Sequence, residues 1–121
     1  MFKIEKNKAI LPMPPRINSK FGLGKHGKFF LNADHKEYKN SIKGIHLENR
    51  FQVKPKEGDV SITIVFYRKM KRGDIDGPLK LLLDSLQGVY YNNDSQINEM
   101  HVFNKTDGQW PRCEILVEFL E

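Results

Sequence analysis

The sequence predicts an α+β fold in which two helices cover one face of a mixed β-sheet. The strongest indication is the alternation of two sets of side chains from Val60 to Met70, which is typical of a strand. Two segments, about Asp34 to Glu48 and Pro78 to Gln87, instead repeat apolar residues at helical spacing. Two further strand-like runs, Glu99 to Lys105 and Cys113 to Leu120, follow the second helix. Helices with one apolar side need a sheet face to cover, so a two-layer domain follows.

The predicted strands differ in length and in the side chains that they would bury. Lys8 to Leu11 predicts a short entry strand, which must end at Pro12 because proline cannot donate a hydrogen bond to a neighbouring strand. In the central strand, one face collects the large apolar side chains Val60, Ile62, Ile64 and Phe66. In the last strand, the alternating apolar set is Cys113, Ile115, Val117 and Phe119.

Both predicted helices carry end signals and an apolar stripe. Asp34 followed by Glu37 approximates a capping box, so we expect the first helix to begin there. Its stripe consists of Tyr38, Ile42 and Ile45. Asp76 is a plausible N-cap for the second helix, Pro78 suits its first turn, and Gly88 ends it. The stripe of this second helix consists of Leu79, Leu82, Leu83 and Leu86.

Length and composition predict one domain spanning residues 1–121 in the cytoplasm. A chain of 121 residues is close to the usual size of a single domain. It has no run of about 18 apolar residues, and its first residues lack the apolar stretch of a signal peptide. The one cysteine, Cys113, has no partner within the chain and lies in a strand, which predicts a buried thiol in a reducing compartment.

Charge is divided unevenly along the chain. Residues 1–72 hold 17 Lys/Arg against 6 Asp/Glu, a balance of +11, whereas residues 73–121 hold 3 against 9, a balance of −6. A basic half suits a polyanion, because each phosphate neutralised by Lys or Arg releases counterions. The acidic half would repel the same polyanion unless its carboxylates held cations. This tension hints at a metal site facing a phosphodiester.

The acidic half contains a spaced group of residues that could hold such a cation. Asp74 and Asp76 are separated by one residue, so extended backbone would direct both carboxylates to one side. Hard oxygen ligands of this kind suit Mg²⁺. Lys80 follows one helical turn after Asp76 and could reach a phosphate, Asp84 follows one turn later, and Asp94 is the expected third ligand if the chain folds back.

Each of these residues also has a structural explanation without chemistry. Asp before a helix is most often an N-cap, which would account for Asp76. Lys80 and Asp84 could form an ordinary surface ion pair, and residues 92–94 could form a turn. What favours a site is the complete spacing, from Asp74 to the later Asp-x-Gln, beside the basic run at 68–72.

Two segments resemble a known family. Residues 73–86 (GDIDGPLKLLLDSL) followed by 88–97 (GVYYNNDSQI) resemble the core of the RusA family of Holliday-junction resolvases, small endodeoxyribonucleases common in prophages. The family pattern is Asp-aliphatic-Asp-Asn, then Lys, then Asp-Ala-Leu, then Gly, an aromatic and Asp-x-Gln-aliphatic. Residues 11–15 (LPMPP) with Asn18, and the Tyr38-Lys39 pair, resemble the family's opening and first helix. The resemblance therefore covers nearly the whole chain.

The resemblance implies a RusA-like fold and a role for each residue of the motif. Asp74, Asp76 and Asp94 would be ligands of Mg²⁺, with Mn²⁺ as an alternative metal, and Lys80 would be the catalytic lysine. Asp84 would be an accessory acid. Two positions depart from the pattern, because Gly77 replaces the Asn after the second Asp and Gly73 precedes the first.

The resemblance also implies a homodimer acting on branched DNA. A four-way junction is nearly two-fold symmetric, so a two-fold dimer would present two sites to opposed strands. The basic residues expected to face DNA are Arg16, Lys20, Lys25, Lys28, Lys69, Lys71 and Arg72. Two alternatives stay open: a module of the same fold that binds branched DNA without cutting it, and a Mg²⁺-dependent enzyme for another nucleic acid or a nucleotide.

Overall fold

The computed structural model confirms the α+β fold, with a five-stranded mixed sheet and two helices. It describes residues 1–15, 27–48, 52–70 and 76–120, and for residues 27–34 and 76–77 it describes the backbone only. The elements in chain order are β1 (Lys3–Ile4), β2 (Lys8–Leu11), α1 (Gly27–Leu47), β3 (Val60–Arg68), α2 (Asp76–Leu86), β4 (Ile97–Thr106) and β5 (Arg112–Phe119).

The order of strands in the sheet is β1-β2-β5-β3-β4. Strands β3 and β4 are parallel, and the other neighbouring pairs are antiparallel. Parallel neighbours cannot be joined by a tight turn, and α2 makes the crossover between β3 and β4. The segment that carries the acidic motif is therefore also the connection that sets the register of the two parallel strands.

One face of the sheet is buried beneath both helices. The alternation predicted for β3 is confirmed, because Val60, Ile62, Ile64 and Phe66 are fully buried. Cys113, Ile115 and Val117 of β5 belong to the same core, together with Tyr38 and Ile42 of α1 and Leu82 and Leu86 of α2. Burial raises the pKa of the Cys113 thiol to about 12, so the prediction of a buried, inert cysteine agrees with the structure.

Three local predictions were wrong. The first helix begins at Gly27 and not at Asp34, because no proline or glycine interrupts residues 28–33 and the Asp34/Glu37 spacing imposes no stop. Strand β1 was missed, because two residues are too few to produce an alternation. Leu81 is fully buried although it lies outside the predicted stripe, since α2 contacts both the sheet and α1.

Two tyrosines fix the N-terminal segment on this core. The Tyr38 hydroxyl donates to the carbonyl oxygen of Pro12 at 2.7 Å. The Tyr90 hydroxyl lies 2.6 Å from the Glu5 carbonyl oxygen and 3.0 Å from that of Lys8. Neither helix of the described residues is long and apolar enough to cross a membrane.

Candidate active site on helix α2

Helix α2 places three positions of the acidic motif on one side. It begins at Asp76, and Lys80 and Asp84 follow at intervals of one turn. Lys80 is exposed and Asp84 is half-buried. Gly88 adopts a left-handed conformation (φ 87°) directly after the helix, which confirms the predicted end. The prediction that Asp76 is the N-cap was wrong, because Asp76 is already the first helical residue.

Asp94 opens a single turn of 3₁₀-helix, Asp94–Gln96, immediately before β4. Asn93 caps this turn, because its side-chain oxygen accepts a hydrogen bond from the Ser95 backbone N–H at 2.9 Å. The short polar run at residues 92–95 thus forms a turn, as its composition predicts. The turn holds Asp94 at the surface, where its side chain is exposed.

Gln96 fastens the Asp94 turn to the chain that leads into β3. Its side-chain oxygen accepts hydrogen bonds from the backbone N–H groups of Asn92 (2.8 Å) and Asn93 (3.0 Å). Its side-chain nitrogen donates to the carbonyl oxygens of Lys56 and Gly58, both at 2.8 Å. A glutamine amide has two donors and an oxygen with two lone pairs, so all four are used. This side chain therefore fixes the position of the turn.

Tyr91 links the Asp94 turn to α2. Its side chain is fully buried, and its hydroxyl donates to the carbonyl oxygen of Leu83 at 2.7 Å. Burial raises the pKa of Tyr91, and the negative charges of Asp94 and then Asp84 raise it further. Both carboxylates thus lie close enough to act on one hydroxyl. The structure brings Asp84 and Asp94 together beside α2, although they are ten positions apart in the chain.

The charged groups on this side of α2 are available for a ligand. Within the described part of the chain, Lys80 and Asp94 make no side-chain hydrogen bond or ion pair, and the Lys80–Asp84 surface pair is not formed. Asp84 accepts one long hydrogen bond, from the Gln87 side chain at 3.4 Å. Unpaired carboxylate oxygens beside an unpaired ammonium are suited to a divalent cation and to a phosphate, respectively.

The complete set of predicted metal ligands is only partly visible. Asp74 lies outside the described residues, and for Asp76 only the backbone position at the start of α2 is known. Among the residues that the structure does describe, no group of three or more His, Cys, Asp or Glu could hold a metal ion. The assignment of Asp74, Asp76 and Asp94 as ligands therefore stays a prediction.

The residues predicted to face DNA are mostly outside the described ranges. Lys69 is exposed just beyond the end of β3. Lys28 belongs to α1, where the structure describes only its backbone. Those that fall outside the described residues are Arg16, Lys20, Lys25, Lys71 and Arg72.

Sequence reasoning did not assign a role to Tyr91 or Gln96. A glutamine two residues after a candidate ligand was a usable signal, because an amide so close to a turn can satisfy backbone groups on both sides. The role of Tyr91 depends on the packing of its hydroxyl against α2, which no sequence spacing reveals. Arg68 was also passed over; its side chain donates to the side-chain oxygen of Asn104 at 2.6 Å, at the end of β3.

Comparison with known proteins identifies the family. The sequence matches the family model for Endodeoxyribonuclease RusA over residues 12–118 of the 121-residue chain. The match includes α1, α2, the Asp94 turn and β3 to β5. A search of curated proteins finds no match. The chain belongs to the RusA family of endodeoxyribonucleases, which act on Holliday junctions.

Proposed function

We propose that this chain is a Mg²⁺-dependent endodeoxyribonuclease that resolves four-way DNA junctions by paired symmetric nicks. The observation that carries the proposal is the unpaired Asp94 carboxylate held beside Asp84 and α2, in a chain of this family. A reducing cytoplasm, where a lone buried cysteine stays a thiol, is the proposed location.

The donor chemistry of the site fits a hard divalent cation. Asp94 offers exposed carboxylate oxygens, and Asp76 at the start of α2 and Asp74 just before it would complete the ligands. Mg²⁺ takes one or two protein carboxylates and keeps several waters, and Mn²⁺ accepts the same ligands. When bound, the ion supplies a Lewis acid and a water of lowered pKa.

The chain's own residues would orient the phosphodiester and stabilise its charge. The exposed ammonium of Lys80, one turn from Asp76 and from Asp84, would donate to a phosphate oxygen and offset the charge of the transition state. Asp84 is half-buried between Tyr91 and Gln87, and it would limit where the Lys80 side chain can settle. The basic residues from Arg16 to Arg72 would hold the DNA arms.

The test is cleavage of a labelled synthetic four-way junction, with and without Mg²⁺, beside linear duplex of the same sequence. We expect wild-type protein to make paired nicks at symmetric positions, leaving 5′-phosphate and 3′-hydroxyl ends. Asp76→Asn, Asp94→Asn and Lys80→Met should each lower the rate by roughly a hundredfold or more while the junction is still bound. Asp59→Asn, which removes an exposed carboxylate elsewhere, is the matched control and should cleave normally.

Two outcomes would favour the alternatives. Tight junction binding without nicks in Mg²⁺ or Mn²⁺ would indicate a module that binds branched DNA, for which Gly77 in place of the usual Asn is the sequence argument. Cleavage suppressed equally by excess duplex, RNA or nucleotide would indicate an enzyme with another substrate.

A further inference from the structure

The sheet has a second face, opposite the two helices, that we call the open face. It consists of the side chains of β2 to β5 that alternate with the buried ones, such as Thr63 and Val65 between Ile62, Ile64 and Phe66. Both helices pack on the other face, as the membership of the core shows. The open face therefore lacks the covering layer that the buried face has in the described part of the chain.

The centre of the open face is apolar and solvent-exposed. Phe103 of β4 is 49% exposed and pairs in register with half-buried Val65 of β3. Leu116 of β5 is 39% exposed and pairs with Thr63. These four residues are neighbours on adjacent strands, so they form one continuous patch. Apolar patches of this kind on a soluble domain mark interaction sites.

The charges around the patch indicate which partner it fits. Around the patch, Lys8, Lys105 and Arg112 are balanced by Glu99, Glu114 and Glu118. A face of balanced charge gives a polyanion no net attraction, so DNA is a poor occupant. Arg112 is in addition engaged within the chain, with Asp107 at 2.8 Å and Glu114 at 2.7 Å. A surface with an apolar centre and both signs of charge suits a second copy of itself.

The register of the strands makes this face self-complementary. Val102, Ile64 and Ile115 lie in one row across β4, β3 and β5. A two-fold axis along that row, between two stacked sheets, reverses the strand direction and places each strand over its own copy. Glu99 and Lys105 lie three residues before and three after Val102. Each Glu99 therefore falls opposite the partner copy's equivalent of Lys105, and the two patches of Phe103 and Leu116 meet at the centre.

We propose that the open face is the interface of the homodimer, with its two-fold axis along the Val102–Ile64–Ile115 row and reciprocal Glu99–Lys105 pairs at its ends. The inference rests on the proposed dimeric function and specifies its interface. Stacked sheets lie about 10 Å apart, a distance that extended Glu and Lys side chains can bridge together. Neither Glu99 nor Lys105 has an ion-pair partner among the described residues.

The size of the face sets the strength of the dimer. Four strands of about eight residues cover roughly 26 Å by 19 Å, or about 500 Å² before side-chain relief is added. Stable interfaces bury about 800 Å² per partner, so this is a small interface. We therefore expect a dimer that dissociates on dilution and whose stability depends on the few apolar contacts at its centre.

The test is sedimentation velocity of the full chain across a concentration series at low and high salt. Lys105→Glu and Glu99→Lys should each raise the dimer dissociation constant roughly tenfold or more, because each reversal places like charges together twice. The double reversal, Glu99→Lys with Lys105→Glu, restores both pairs and should return the constant to within about threefold of wild type. Lys43→Glu, an exposed reversal on α1, is the control and should change nothing.

Phe103→Ser provides a second, independent variant. It should give a monomer whose circular dichroism and urea midpoint stay close to wild type, because half of the side chain is already exposed. A wild-type monomer at all concentrations, or a dimer that tolerates both Lys105→Glu and Phe103→Ser, would overturn the proposed interface. Junction cleavage by the same samples separates the two proposals: a tolerant dimer that still makes paired nicks refutes only the interface, and a sensitive dimer that makes none refutes only the function.

Discussion

Gln96→Glu tests whether the turn that carries Asp94 is fixed by one amide. The replacement has nearly the same shape but exchanges the side-chain NH₂ group for an oxygen. The carbonyl oxygens of Lys56 and Gly58, each 2.8 Å from that nitrogen, lose their donor and face a negative oxygen instead. The other side-chain oxygen can still accept from Asn92 and Asn93.

The expected cost follows from the two lost hydrogen bonds. A net hydrogen bond contributes about 0.5–1.5 kcal/mol, and water can partly replace the donor because Gln96 is only half-buried. We expect the free energy of unfolding to fall by about 2 kcal/mol. The assay is urea unfolding at pH 7 followed by circular dichroism, with Gln109→Glu, which makes the same change at an exposed loop position, as control.

The functional consequence should follow the same direction. With the turn less fixed, Asp94 is positioned less well, so cleavage should need a higher Mg²⁺ concentration while junction binding in the absence of Mg²⁺ stays unchanged. An unfolding free energy within about 0.5 kcal/mol of wild type would refute the assigned role of Gln96, because no pair of well-formed hydrogen bonds would then have been lost.

Three further predictions concern the rest of the domain. Tyr38→Phe removes the hydroxyl that donates to Pro12 at 2.7 Å and should lower the free energy of unfolding by about 1–2 kcal/mol in urea titrations; no change would contradict it. Hydrogen bonding to Arg112 holds the pKa of Asp107 below its ordinary value of 3.8, so its stabilisation is present above that pH and is lost as the pH falls through the lowered value. Asp107→Asn should therefore destabilise the protein at pH 7 and cease to do so in strong acid, whereas a pH-independent difference would contradict this. Burial raises the pKa of Cys113 to about 12, so a thiol reagent at pH 8 should label it only after unfolding; rapid labelling of folded protein would contradict the packing of β5.

Much of the fold could be predicted because local pattern and tertiary packing agree. In β3 the alternating residues from Val60 to Phe66 meet a sheet that is covered on one side only, so periodicity directly gives the buried face. In α2 the same reasoning missed Leu81, because contact with α1 buries more of the helix than one stripe. The length of α1 was missed for a different reason, since helix ends depend on competing caps and not on apolar spacing.

The candidate site could be predicted in composition but not in its supports. The spacing of Lys80, Asp84 and Asp94 indicated the acidic group, and the family match agrees with that motif. The hydroxyl of Tyr91 and the amide of Gln96 position that group through contacts with carbonyl oxygens distant in sequence. Such contacts exist only once the chain is folded, so spacing alone could not reveal them.

The most direct test of the central claim is cleavage of a supercoiled plasmid that extrudes a cruciform, which is a four-way junction. Two symmetric nicks made in one binding event convert the circle directly to a linear molecule, whereas independent nicks give a relaxed circle first. The account predicts linear product in Mg²⁺, none with EDTA, and none with Asp94→Asn. Relaxed circle alone would contradict paired nicking, and an intact plasmid bound by the protein in Mg²⁺ and Mn²⁺ would contradict the enzyme itself.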